Sequence, residues 1–532
     1  MAQIPAVERA GAAPIGAGDS GRTVAHPWLT LAAVVPGLMM VMLDASVVSV
    51  ANATIGRDLH ASLAGLEWVF NGYLLALATG LILGGKLGDL YGRRLLFIGG
   101  VTVFALASLG CGLSGSVGVL IFFRVMQGLG GALMLPQTLA TLRASFPARR
   151  LQLAIGVWAG SAALAIASGP IIGGLLVQYV NWQSIFYINL GIGALAVAGA
   201  LLFVAESRDR RTQGVDVAAA TLLAGALFCL VWALIKTDAH AWGSAYTLGF
   251  LAGAGVLAAL WAGRLATARR PLVPPSVLRV ASLDAGAVAV IAVAFAMFGF
   301  LFYVMLYLQR VQGYSPVAAG LRILPLTGLV GLSAPLGGAL GGRIPLRLQV
   351  AGGLLLITGG MFGLTRLTPG SSFDILWPWF SLIGLGTGLT LTGATRAILG
   401  SAPVEHAGIA AGIQQTSIQI GAALGTAILG TVVTARVGGV LPGDLLARHV
   451  PPALASKLAA AKAAIAGGIV PAGHGVPSAV ARAVTAASYQ AVTEGMHIAF
   501  IVAGLLAAGA SVIALMFIQA PNPAADQPVA AL

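Results

Sequence analysis

Apolar runs of about 20 residues, parted by short polar turns, follow one another along the whole chain. Each is long enough to cross a hydrocarbon core of ~30 Å as a helix. Strands of a membrane barrel would instead alternate apolar and polar residues in segments of about ten. The pattern predicts spans at 29–52, 66–85, 95–115, 118–140, 153–178, 185–205 and 215–235 in the first part of the chain. It predicts seven more at 245–263, 283–307, 317–341, 348–366, 376–397, 407–434 and 497–518. The expected fold class is an all-α polytopic membrane protein with fourteen transmembrane helices. Most connections are short, as in a bundle. One is long, residues 435 to 495, and contains PPALASKLAAAKAAIAGG and SAVARAVTAASYQAVTEG. Both are good helix formers separated by Gly and Pro, so a short helical hairpin near the membrane surface is expected.

Composition agrees. Of 532 residues, 58% are hydrophobic and 8% charged, against about 25% charged in a soluble domain. The net charge of +13 forms no patch interleaved with aromatics, which argues against a nucleic-acid partner. Basic residues collect instead in loops on the side of the N-terminus, among them Lys86, Arg93, Arg94, Arg149, Arg150, Arg269, Arg270, Arg343 and Arg347. The short loops and span ends opposite hold only Arg57, Lys236, Arg310, Arg322 and Arg366. By the positive-inside rule both termini are cytoplasmic, the long connection lies outside, and the protein is multi-pass in the plasma membrane. The first 25 residues lack an apolar h-region, so no cleavable signal is expected. Cys111 and Cys229 fall inside apolar runs and are expected to be buried small hydrophobes. No activated nucleophile, phosphate loop or metal cluster appears; neither an enzyme nor a metal or other cofactor is expected.

Charge is concentrated in GGKLGDLYGRRLL, residues 84 to 96, at the turn between the second and third spans. Orientation explains the basic residues but not Asp89, since acids contribute little to it. Nor does it explain Gly85, Gly88 and Gly92, which permit a tight turn and close backbone approach. The stretch resembles the signature loop of the major facilitator superfamily, Gly-x-Leu-x-Asp-x-x-Gly-Arg-Arg. The resemblance implies a conformational latch of Gly85, Asp89, Gly92, Arg93 and Arg94. In it the Asp and an Arg hold two six-helix bundles together on the cytoplasmic side. The second half reads GGRIPLRLQ at the corresponding place and lacks the acid, so a one-sided latch is expected.

Other segments carry the same resemblance. LDASVVSVANATI is similar to the first-span pattern of drug:proton antiporters, with Asn52-Ala53 in place of Leu-Pro. RVMQGLGGALMLP resembles the fourth-span signature, and NWQSIFYINLGIG the start of the sixth span, with Gly191 where Pro is usual. GVWAGSAALAIASGPIIGG resembles the fifth-span antiporter signature, here Gly156, Gly169, Pro170, Gly173 and Gly174, with Ala165 replacing one Gly. Fourteen spans imply the multidrug branch. Its expected organisation is a cytoplasmic N-terminus (1–28), a first bundle (29–205), two inserted spans (206–282), a second bundle (283–518, with 435–496 as the long outer loop) and a tail (519–532).

Among the acids, Asp44 alone falls deep inside a span, where a charge costs roughly 2.5–3.5 kcal/mol on insertion scales. Glu67, Asp284 and Asp374 fall at span ends. Asp44 is about 12 Å below the outer face and Arg124 about 9 Å, at about 1.5 Å per residue, so the two are expected to meet. Either the pair only holds the bundle, or Asp44 exchanges a proton during transport; the second is the expectation adopted. Arg124, Gln127, Gly128 and Gly131 form one polar, small face. Ala165, Gly169 and Gly173 recur every four residues and favour close helix contact. Phe300, Tyr303 and Tyr307 on one span, and Gln415 and Gln419 on another, are substrate-site candidates with Gln127. Lipid-facing aromatics and interhelical hydrogen bonds are the alternative.

The expected function is proton-coupled export of hydrophobic or cationic small molecules by a monomer, driven by the proton gradient, with membrane lipids as surroundings. The rivals are a lipid or glycolipid exporter on the same scaffold, and a non-transporting membrane receptor.

Overall fold

The structure is a computed structural model that describes residues 26–61, 63–208, 216–235, 240, 242–268, 280–340, 343–403, 406–467 and 478–519. Most of the expected N-terminal segment and tail, with parts of the linkers around the inserted spans, lie outside these residues. Sixteen α-helices are described. The first eight are α1 (Pro27–Asp58), α2 (Leu63–Tyr91), α3 (Arg93–Gly112), α4 (Val117–Ser145), α5 (Ala148–Tyr179), α6 (Ser184–Phe203), α7 (Val217–Ile235) and α8 (Ala245–Thr267). Then come α9 (Ala281–Leu306), α10 (Pro316–Ala339), α11 (Leu346–Gly363), α12 (Phe373–Gly400) and α13 (Ala407–Ala447). The last are α14 (Pro452–Ala460), α15 (Lys462–Ala466) and α16 (Ser478–Phe517). Thirteen of them are long and apolar enough to cross a membrane, and α7 carries a shorter apolar stretch, Ala218–Leu234.

The helices form two bundles with one pairing pattern. In the first, α1 packs on α5 and α6, α4 on α2 and α3, and α3 on α6. In the second, α9 packs on α13 and α16, α12 on α10 and α11, and α11 on α16. The bundles meet along two seams, α2 against α13 and α5 against α10. The hairpin α7–α8 stands outside both, with α7 resting on α2 and α13. Asp216 fastens this hairpin: it accepts the Ala219 N–H at 3.0 Å and Arg264 Nε at 2.9 Å.

Thr30 Oγ1 at the start of α1 donates to Phe203 O at the end of α6, and Ser511 near the end of α16 donates to Ala351 on α11. The first and last spanning helices therefore have their free ends on the side where α2 meets α3. That side is called the Asp89 end below.

The long connection differs from expectation. SAVARAVTAASYQAVTEG is no hairpin arm; it is the first half of α16, and α13 likewise runs on to Ala447. At 41 and 40 residues each helix is about 60 Å long, roughly twice a hydrocarbon core. Nothing in the sequence stops them: helix-forming residues abut the apolar run directly, and Pro442 sits inside α13 without ending it. Arg436 Nη2 meets Glu494 Oε2 at 3.1 Å between the two extensions, with α14 and α15 after α13.

Candidate functional site

Asp44 and Arg124 do meet. Their helices, α1 and α4, bring Arg124 Nη1 to 2.5 Å from Asp44 Oδ2, with the side chains 1% and 0% exposed. So buried a pair persists only when its remaining polar atoms find partners. Here they do. Arg124 Nη1 also donates to Gln127 Oε1 at 2.8 Å and Nε to Val69 O at 3.0 Å, while the guanidinium lies 4.2 Å from the Tyr73 ring centroid. The second carboxylate oxygen of Asp44 accepts from Asn189 Nδ2 at 3.1 Å and Gln127 Nε2 at 3.3 Å. Ser108 Oγ accepts from both amides, at 3.2 and 2.6 Å. Among the described residues Arg124 Nη2 and Asn189 Oδ1 have no hydrogen-bond partner. The site thus couples α1, α2, α3, α4 and α6 through one polar network centred on the Asp44–Arg124 pair.

Sequence reasoning missed Asn189, Ser108 and Tyr73. Asn189 had a signal, an amide inside an apolar span; Ser108 had none. Cys111 is buried as expected, and its thiol donates to Gln127 Oε1 at 3.3 Å.

The second site lies at the Asp89 end. Helix α13 starts without a side-chain cap of its own, which leaves its first N–H groups unsatisfied. Asp89 supplies the cap from the other bundle: its carboxylate accepts Gly408 N at 3.1 Å and Ile409 N at 3.2 Å. Negative charge at a helix N-terminus is favoured by the macrodipole. Arg93, one turn on, holds Asp89 through Nη2 at 2.8 Å and Nε at 3.2 Å. The approach depends on glycine: a side chain at Gly85 would strike the Gly408 carbonyl, and one at Gly408 the Asp89 carboxylate. Gly92 has φ +121°, in the region that favours glycine, and separates α2 from α3.

Arg94 is not in this contact. It is half-buried and donates to Leu201 O at 2.9 Å, within its own bundle. Glu206, which the sequence did not single out, caps α3 instead, accepting Arg94 N at 3.1 Å and Leu95 N at 3.2 Å.

The fifth-span signature divides into two contacts. Gly156 lies against Ala334 and Pro335 of α10, across the boundary between bundles. Gly169 and Gly173 lie against Ser46 and Val47 of α1, next to Asp44. Gly174 has no atom within 4 Å of where its side chain would stand, so it is not part of either seam. The side chain of Pro170 lies outside the described ones, as does that of Glu67.

The proposed substrate aromatics are placed elsewhere. Phe300 packs at 5.4 Å from Phe380 and 5.8 Å from Phe500, ring centre to ring centre, in the core of the second bundle. Tyr307 begins a π-turn (Tyr307–Val311) and donates to Thr368 O at 2.7 Å; Tyr303 is buried on the same helix. Three aromatics filling a core explain these positions better than a ligand cavity does. Gln127 belongs to the Asp44 network. Gln415 is buried on α13, its Nε2 without a partner among the described residues, and Gln419 is half-buried.

A buried acid–base pair inside one of two like bundles, packed against each other along glycine seams, defines a membrane transporter. The sequence matches the Major Facilitator Superfamily over residues 34–426, and the chain belongs to that family. It is 44% identical over 491 residues to the tetracenomycin C resistance and export protein of Streptomyces glaucescens, covering 92% of this chain and 91% of the relative. It is 36% identical over 454 residues to the multidrug resistance protein Stp of Mycobacterium tuberculosis, with 84% of each covered. The methyl viologen resistance protein SmvA of Salmonella typhimurium is 33% identical over 430 residues, 80% of this chain and 86% of that one. Among solved structures, the proton:xylose symporter XylE superposes with a TM-score of 0.61 at 12% identity, over 93% of this chain and 97% of that one. At that identity the likeness concerns the fold.

Proposed function

We propose that the protein exports hydrophobic or cationic small molecules in exchange for protons, by alternating access between its two bundles. The observation that carries this is the Asp44 site: a titratable acid sealed in the membrane part of the first bundle, within a polar network that joins five helices. Similarity to proteins named for tetracenomycin C, multidrug and methyl viologen resistance supports the substrate class.

Each residue has a task in this scheme. Ionised Asp44 holds Arg124, Gln127 and Asn189 together. A proton on Asp44 removes the counter-charge of Arg124, which keeps Gln127 and Val69, while α1 and α4 lose their strongest tie. Asp89 and Arg93 stabilise the form closed at their own end. The side of the membrane follows from the loop arginines, which assign the Asp89 end to the cytoplasm of a plasma-membrane protein. The closed end is then cytoplasmic and the form outward-facing.

The test is transport by purified protein in proteoliposomes with an imposed pH gradient. Aromatic polyketides, methyl viologen and fluorescent lipids would be offered in turn, with and without a protonophore. Gradient-dependent movement of the first two supports drug export. Movement of the lipids alone would replace it with lipid export, and no movement at all with a receptor.

A further inference from the structure

Because the bundles share one pairing pattern, each contact across their boundary has a counterpart. GGALGGRIPLR, residues 337 to 347, aligns on GGKLGDLYGRR, residues 84 to 94, and sets Gly338 at the place of Gly85. Gly85 lies against Gly408 at the head of α13; Gly338 lies against the backbone of Gln152 and Leu153 at the head of α5. The acid is not repeated. Gly342 stands at the place of Asp89, outside the described residues.

The α5–α10 seam nonetheless holds a buried polar contact. Gln152 is 2% exposed. Its Nε2 donates to Gly337 O on α10 at 2.7 Å and to Gln349 Oε1 on α11 at 2.8 Å. Its Oε1 accepts from Arg396 Nη1 on α12. Gln349 is itself held, donating to Leu389 O at 3.1 Å. One amide from the first bundle thus uses both donors and its acceptor on three helices of the second. Core packing within a bundle needs no such span, and a buried amide that loses these partners is left unsatisfied.

We propose that Gln152 is the second clasp of this end of the transporter, an uncharged positioning residue that does on α5–α10 what Asp89 does on α2–α13. Closure is therefore two-sided, by a carboxylate on one seam and an amide on the other. The inference rests on the alternating-access reading above.

The test uses spin labels on cysteines at Leu95 and Leu348, both exposed and on opposite bundles, with distances measured in full-length protein in lipid nanodiscs. Gln152→Ala is expected to raise the open, long-distance population about tenfold or more, as befits three lost hydrogen bonds to a buried amide. Gln152→Asn keeps the amide but not its reach. It is expected to act in the same direction, and it decides the matter if the alanine variant does not insert. Adding Gln349→Ala to Gln152→Ala should cost little more, whereas adding Asp89→Asn should add its full effect, the two seams being separate. Wild-type distances in both Gln152 variants, with a lengthened population in Asp89→Asn, would overturn the second clasp alone. Unchanged distances in all variants, Asp89→Asn included, would remove the alternating-access reading and this inference with it.

Discussion

Asp89 on α2 caps a helix whose first residue lies more than 300 positions further along the chain: its carboxylate accepts Gly408 N, 319 residues away, at 3.1 Å. The tie joins a side chain of one bundle to bare backbone of the other, so it breaks only when the bundles part. Asp89→Asn leaves one acceptor but loses the charge, the Arg93 ion pair and the favourable dipole interaction. Charge-assisted hydrogen bonds contribute about 1.5–3 kcal/mol each, so the closed form should lose about tenfold in population or more. Substrate affinity in the open form should change within a few-fold. Distances across the Asp89 end, together with binding titrations, separate the two effects.

The Asp44 site predicts a split between folding and transport. Removing one member of a buried ion pair costs about 3–5 kcal/mol, and Asp44→Asn should fall at the low end because Gln127 and Val69 still hold Arg124. Gradient-driven export should vanish. The double change Asp44→Leu with Arg124→Leu should recover thermal stability without recovering export. If the double variant exports along a pH gradient, the exchanged proton is not on Asp44.

A methyl group is expected to jam the boundary. Gly156→Ala would press a side chain into the backbone of Ala334 and Pro335, which cannot yield as a flexible side chain would. Export should fall while Gly174→Ala, with open space around it, stays near wild type. Comparable initial rates for the two variants would show that the seam tolerates the wedge.

The topology assigned from loop charge is tested by labelling. A cysteine at Ser456, exposed on α14, should react with an impermeant maleimide on intact cells, and one at Ser20 should not. The reverse pattern would place the Asp89 end outside.

The carboxyl of Asp216 is held below the usual carboxylate range, first by the Ala219 N–H and then by the Arg264 guanidinium. With the folded value depressed, its contribution is present above the ordinary value of about 3.9 and is lost only as pH falls below it. Proximity of the start of α7 and the end of α8, followed by energy transfer, should therefore be flat across neutral and mildly acidic pH. Asp216→Asn should weaken it throughout that range.

Some of this was legible in sequence and some was not, for physical reasons. Asp44 and Arg124 were visible because charge inside a span is costly and rare, and counting residues gave matching depths. Asp89 and Arg93 were visible as a pattern. Their partner was not, since backbone N–H groups at a helix start have no sequence signature. The core packing of Phe300, Tyr303 and Tyr307 was not visible because α9 is apolar on every side. Spacing shows that they share a face but not where that face turns. Gln152 sits two residues after Arg150, where a polar residue looks like ordinary helix beginning. Only the three helices gathered around it reveal its role.

The position of the α7–α8 hairpin gives the boundary between bundles two unequal flanks. Along α2 and α13 a wall of protein stands between that boundary and the surrounding lipid. Along α5 and α10 the described residues of the hairpin make no comparable contact. The junction of the two halves is therefore more open to the surrounding lipid on the α5–α10 flank, past Gly156 and Gly338.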